Sequence, residues 1–116
     1  MSQGKYWCFT LNNYTNEEYN DLLLINASYI IIGKEICENN TPHLQGYVEF
    51  TNNKRLNALK EINNRVHWEK RRGTALEASD YCKKDGDFDI KGEISQPNPG
   101  KRNDIKRVKE MIINLF

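Results

Sequence analysis

SYIIIGKEICENNTPHLQGYVEFT, residues 28–51, decides how the chain folds. Its first nine residues are an almost unbroken apolar, β-branched run, which predicts a strand over residues 28–36. ENNTP, residues 38–42, is a turn by composition. HLQGYVEFT, residues 43–51, alternates, and alternation predicts a second strand with two unlike faces. Leu44, Val48 and Phe50, with Gly46 between them, form the core face, and His43, Gln45, Tyr47 and Glu49 form the polar one. Two strands joined by so short a turn pair as a hairpin.

Working outward, KYWCFTLN (residues 5–12) is aromatic and β-branched and predicts an earlier strand. Thr15 followed by Glu18 fits a capping box that opens a helix to about residue 25. Beyond the hairpin, residues 54–63 place Leu56, Leu59 and Ile62 on one helical face. VHWEKRR (66–72) predicts a further strand. Thr74 and Glu77 repeat the capping box for a helix through about residue 84, ended by Asp85 and Gly86, and residues 88–94 predict the last strand. The order β-α-β-β-α-β-α-β, with a hairpin at its centre, is that of an α+β domain: a central five-stranded antiparallel sheet with packed helices. Residues 1–95 are expected to form this domain. QPNPG (96–100) reads as a linker, and residues 103–116, with Ile105, Val108, Ile112 and Leu115 near helical spacing, as the start of a helix leading to a downstream region.

Three cysteines, Cys8, Cys37 and Cys82, are odd in number and lack C-x-x-C spacing, so free thiols are expected rather than a disulfide framework or a zinc site. No signal-peptide or membrane-span pattern occurs, and an intracellular protein without membrane partners is expected. The formal charge of +1 conceals an asymmetry: residues 54–84 hold nine Lys/Arg against four Asp/Glu. That basic middle third suits a phosphate backbone, with Lys70, Arg71 and Arg72 as candidate contacts, although charge alone favours a solvated face. Trp7, Trp68 and Tyr47 are candidate stacking platforms for unpaired bases, with core packing equally open to the tryptophans.

The chemistry converges on the hairpin. His43 and Gln45 project from one face of a rigid strand, and pairing brings Glu35, near the end of the preceding strand, to the His43 end. Carboxylate, imidazole and amide oxygen together suit Mg²⁺ or Mn²⁺ better than zinc or copper. Glu38, in the turn, is a competing carboxylate. On the third predicted helix Tyr81 and Lys84 are i and i+3 and share a face. A free phenol, with its pKa near 10, is only about one part in a thousand ionised at pH 7. A nearby ammonium favours the phenolate or steadies charge on a phosphate.

Phe9-Thr10-Leu11-Asn12-Asn13-Tyr14, His43-Leu44-Gln45-Gly46 and Tyr81-Cys82-Lys83-Lys84, in this order, resemble the three motifs of the HUH-type endonuclease domain. The likeness is to the replication initiator (Rep) proteins of small circular single-stranded DNA viruses of the circovirus and nanovirus kind. Gln45 stands where the name expects a second His, as in the circovirus pattern, and residues 68–74 (WEKRRGT) look like nanovirus-type Rep sequence. The resemblance covers about residues 5–94 and implies an RRM-like fold. It implies a metal-dependent DNA endonuclease and nucleotidyltransferase that nicks and rejoins single-stranded DNA at a stem-loop origin. In that scheme Tyr81 is the nucleophile, leaving a 5′-phosphotyrosyl link and a free 3′-hydroxyl. Glu35, His43 and Gln45 hold the metal, Lys84 sits beside the reacting phosphate, and Phe9, Thr10, Leu11, Asn12 and Asn13 bind the origin strand. It further implies oligomerisation through a downstream region, and a host nucleus if the source is a virus of a eukaryote, otherwise the cytoplasm.

Two readings of other classes stand beside it. Gly46-Tyr47-Val48-Glu49-Phe50 partly matches an RNA-recognition signature, so a non-catalytic RRM-like single-stranded nucleic-acid module would bind without a covalent adduct. A hydrolytic metal nuclease would cut with water and leave no protein on the DNA.

Overall fold

The computed structural model describes residues 3–36 and 40–95. The predicted linker at 96–100, the helix at 103–116, Cys37 and Glu38 lie outside the described residues. Five strands and three helices follow in the expected order: β1 (Gln3–Asn12), α1 (Asn16–Leu23), β2 (Tyr29–Ile36), β3 (Pro42–Arg55), α2 (Leu56–Ile62), β4 (His67–Lys70), α3 (Ala75–Cys82) and β5 (Phe88–Gly92). The strands form one sheet in the order β4-β1-β3-β2-β5, with every neighbouring pair antiparallel. The α+β architecture read from the sequence is therefore the observed one.

Strand alternation divides the sheet into two covered faces. Trp7, Phe9, Leu11, Ile30, Ile32, Leu44, Val48 and Phe50 meet Tyr19 and Leu22 of α1 and Leu59 of α2, with Trp68 and Val66 completing this larger core. Each fully buried aliphatic side chain contributes about 1.5–3 kcal/mol. Gly46 belongs to this face because the Phe9 ring fills its place: a Cβ there would lie 2.0 Å from the ring. The opposite face carries a smaller cluster of Tyr29, Ile31 and Tyr47, closed by Ala75 and Cys82 of α3.

Both capping boxes form. Thr15 and Thr74 accept from the backbone N–H of Glu18 and Glu77, whose carboxylates accept from the threonine N–H groups in return. The second helix starts later than its periodicity suggests. Lys54 and Arg55 continue β3, because Gly4 and Gln3 at the start of β1 pair with them beyond a bulge.

The face of β3 read as polar is not an open surface. Tyr47 and Glu49 are buried under α3 and the chain after β5. They satisfy one another: the Tyr47 hydroxyl donates to Glu49, which also accepts from the Ser95 N–H at 2.9 Å and hydroxyl at 2.8 Å. Trp7, Trp68 and Tyr47 are 2%, 5% and 0% exposed, so none of the three serves as a stacking platform.

Candidate active site

The β2–β3 register sets Glu35 directly opposite His43. Directly opposed side chains lie about 4.5–5.5 Å apart at Cβ, and here Glu35 Oε1 and His43 Nε2 close to 2.8 Å. Both residues are buried, yet Glu35 Oε2 has no hydrogen-bond partner. Its nearest countercharge is the Lys84 ammonium, 3.6 Å away. Gln45 lies one pleat further along, between Gly33 on β2 and Thr10 on β1. The Thr10 hydroxyl donates to Gln45 Oε1 at 3.3 Å, which restrains the amide.

The last turn of α3 is laid on this part of the sheet by Gly33. A Cβ at that position would stand 1.9 Å from the Cys82 carbonyl oxygen, so only glycine admits the helix so close. A buried hydrogen bond of 2.7 Å between Tyr29 and Ser79 fixes the same helix one turn earlier. The result places Tyr81, 53% exposed, in a cleft of about 410 Å³ whose lining includes Thr10, Gln45, His67 and Glu69. The Lys84 ammonium lies 4.3 Å from the centre of the Tyr81 ring and joins the tyrosine to Glu35. A hydrogen bond with the Tyr81 side chain, followed by the charge of Glu35, holds the Lys84 ammonium above its ordinary range, so it stays cationic.

Of the residues singled out in the sequence, Glu35, His43, Gln45, Tyr81 and Lys84 come together. Phe9 is among the residues lining the cleft, but the side chains of Phe9 and Leu11 do not join them. Both point into the α1/α2 core and are about as buried as any residue, so side-chain contact with a ligand falls to Thr10, Asn12 and Asn13 of that run. Asn13 adopts a left-handed φ of 52°, and the Arg65 guanidinium donates to the carbonyls of Asn12 and Asn13. Lys70 and Arg72 border the cleft. Arg71 is already engaged: its guanidinium donates to the Tyr47 hydroxyl at 2.9 Å and lies 4.5 Å over the Tyr6 ring. Sequence reasoning missed Gly33, and also His67 and Glu69, which project from β4 opposite Thr10 and Cys8. A glycine inside a β-branched run was the available signal for the first, and the alternation in HWEK for the other two.

The Glu35–His43–Gln45 set fits a hard divalent cation. One carboxylate oxygen is buried without a hydrogen-bond partner, and the donors are two oxygens and one imidazole nitrogen. Among the described residues no group of three His, Cys, Asp or Glu is placed to hold a metal.

The chain is thus an antiparallel α+β domain with a buried carboxylate–imidazole pair near an exposed tyrosine. Comparison with known proteins gives the family. Residues 4–85 match the family described as "Putative viral replication protein", and the chain belongs to it, as a Rep domain of circular single-stranded DNA viruses. It is 44% identical over 105 residues to the replication-associated protein of pigeon circovirus, covering 88% of this chain and 32% of that protein. The canary circovirus protein of the same name is 45% identical over 105 residues, covering 88% and 36%. Para-Rep C2 of the subterranean clover stunt C2 alphasatellite is 39% identical over 87 residues, covering 71% and 31%. The chain thus spans about a third of the length of these relatives.

Proposed function

We propose that this domain nicks and rejoins single-stranded DNA at a stem-loop origin of rolling-circle replication, with Tyr81 as nucleophile. The observation that carries the reading is the position of Lys84, which touches both the exposed Tyr81 ring and the buried Glu35. The Tyr81 oxygen attacks a backbone phosphorus and its proton passes to solvent. The bond from phosphorus to the 3′-oxygen breaks, and that oxygen leaves as a hydroxyl after taking a proton from water. One phosphodiester is exchanged for another, so the later attack of a 3′-hydroxyl on the phosphotyrosine restores the strand without ATP. Lys84 holds positive charge where the phenolate and the phosphate develop negative charge. Thr10 keeps the Gln45 amide in place, and Lys70 and Arg72 at the cleft border neutralise neighbouring phosphates. Mg²⁺ or Mn²⁺, held by Glu35, His43 and Gln45, supplies Lewis-acid stabilisation of the scissile phosphate when bound. We further propose that this activity belongs to the nucleus of an infected eukaryotic cell and that copies oligomerise through a downstream region; the family's replication role supports the first of these.

Incubation with labelled single-stranded origin-like DNA and Mn²⁺, followed by a denaturing gel, is expected to yield a protein–DNA adduct that Tyr81→Phe abolishes. A released fragment without adduct supports water-dependent hydrolysis instead. Binding without cleavage supports a recognition module. His43→Ala is expected to weaken Mn²⁺ binding at least about tenfold in a calorimetric titration, with an unchanged circular dichroism spectrum. Unaltered Mn²⁺ affinity would remove His43 from the ligand set.

A further inference from the structure

Two carboxylates line the cleft beside Tyr81 where a polyanion is to lie: Glu77, which accepts from the Thr74 N–H, and Glu69. Glu69 and His67 project from β4 on the α3 side of the sheet and line the cleft with Gln45 and Tyr81. His67 Nε2 donates to Glu69 Oε2 at 2.9 Å. Lys70 and Arg72 border the same cleft, but among the described residues the ion-pair partner of Glu69 is His67. A phosphate would be repelled by this oxygen pair. The exocyclic amine of a nucleobase would not: carboxylates accept from such amines, and unpaired bases expose the edges that carry them. The cleft, about 410 Å³, also presents the small side chains of Cys8 and Ala78 and the backbone of Gly46, a shallow floor against which a planar ring can lie.

We propose that this cleft is a subsite for one nucleobase of the bound strand, next to the phosphate that Tyr81 attacks, and that Glu69, steadied by His67, selects a base bearing an exocyclic amine. The proposal rests on the single-stranded DNA reading above. Guanine fits best, since its N1–H and N2–H point the same way and meet both carboxylate oxygens. Adenine and cytosine offer one amine each. Thymine is rejected, because its pairing edge sets a carbonyl on either side of its one N–H and brings acceptor against acceptor. At neutral pH the Glu69 carboxyl is ionised and only accepts hydrogen bonds.

The test is selection from a random pool of ten-nucleotide single-stranded DNA in EDTA, where metal-dependent cleavage is suppressed, followed by sequencing of the bound fraction. The unaltered chain is expected to enrich a motif in which one position disfavours thymine by about tenfold. Glu69→Gln is expected to erase that preference at that position alone, because an amide both donates and accepts. A uniform rise in affinity with the preference intact would make Glu69 only a surface charge and overturn the subsite. So would a motif in which no position disfavours thymine. Absence of binding to any member, with or without Mn²⁺, overturns the DNA reading and this proposal together. Binding with an unaltered Glu69→Gln motif overturns the subsite alone.

Discussion

At Gly33 a single added methyl group would meet the Cys82 carbonyl at 1.9 Å, and backbone cannot give way there as a flexible side chain would. Gly33→Ala is expected to lift the last turn of α3, costing about 1–3 kcal/mol in chemical denaturation as overpacking does. It is also expected to reduce Tyr81 adduct formation by more than that loss explains at temperatures where the variant is folded. An adduct rate equal to that of the unaltered chain would show that α3 does not depend on this contact. The five candidate residues could be picked out locally, but it was the resemblance of their motifs that joined them into one site. Period-two alternation selects His43 and Gln45, a short turn brings Glu35 back, and i, i+3 spacing joins Tyr81 to Lys84. Gly33, His67 and Glu69 could not be picked out so, since their importance comes from which strand lies opposite and which helix lies above. Phe9 and Leu11 show the same limit in reverse: motif position suggested a DNA contact, and alternation along β1 turns both into the core.

Among the elements, α3 carries the proposed nucleophile on only eight residues, Ala75–Cys82, a length at which isolated helices do not persist. Its capping box and the Tyr29–Ser79 bond therefore bear much of its order. Thr74→Ala is expected to lower stability by about 1 kcal/mol, read as a shift in the urea midpoint, while Thr74→Ser leaves it nearly unchanged. Equal midpoints for all three would mean that packing alone holds the helix. Both capping boxes could be read from the sequence because a cap spans four neighbouring residues. The start of α2 could not: Lys54 and Arg55 have helical periodicity around them, and it is the distant pairing with Gly4 and Gln3 that keeps them extended.

For the molecule as a whole, Arg65 ties distant parts of the chain together. Its guanidinium donates to the Glu18 carboxylate on α1 and to the carbonyls of Asn12 and Asn13 at the end of β1. Arg65, followed by the Thr15 N–H, depresses the Glu18 pKa from 4.5 to about 2. A depressed carboxylate stabilises the fold above its unfolded pKa and loses that contribution as pH falls through the folded one. Arg65→Ala is therefore expected to lower Tm by several degrees at pH 7, with the gap to the unaltered chain narrowing between about pH 4.5 and pH 2. A gap independent of pH would assign the effect of Arg65 to the two carbonyls instead. The sheet order was not legible at this scale. A strand pattern records which side chains want burial, but not that helices cover both sheet faces, and so the supposed open platform of Tyr47 proved to be interior. The same order leaves β4 and β5 as the sheet's borders, four and five residues long, with Glu69 and Lys70 on one and Asp89 and Lys91 on the other. Brief, charged borders are poor templates for strand addition. Copies of this domain held at high local concentration can therefore crowd together without stitching their sheets into fibrils.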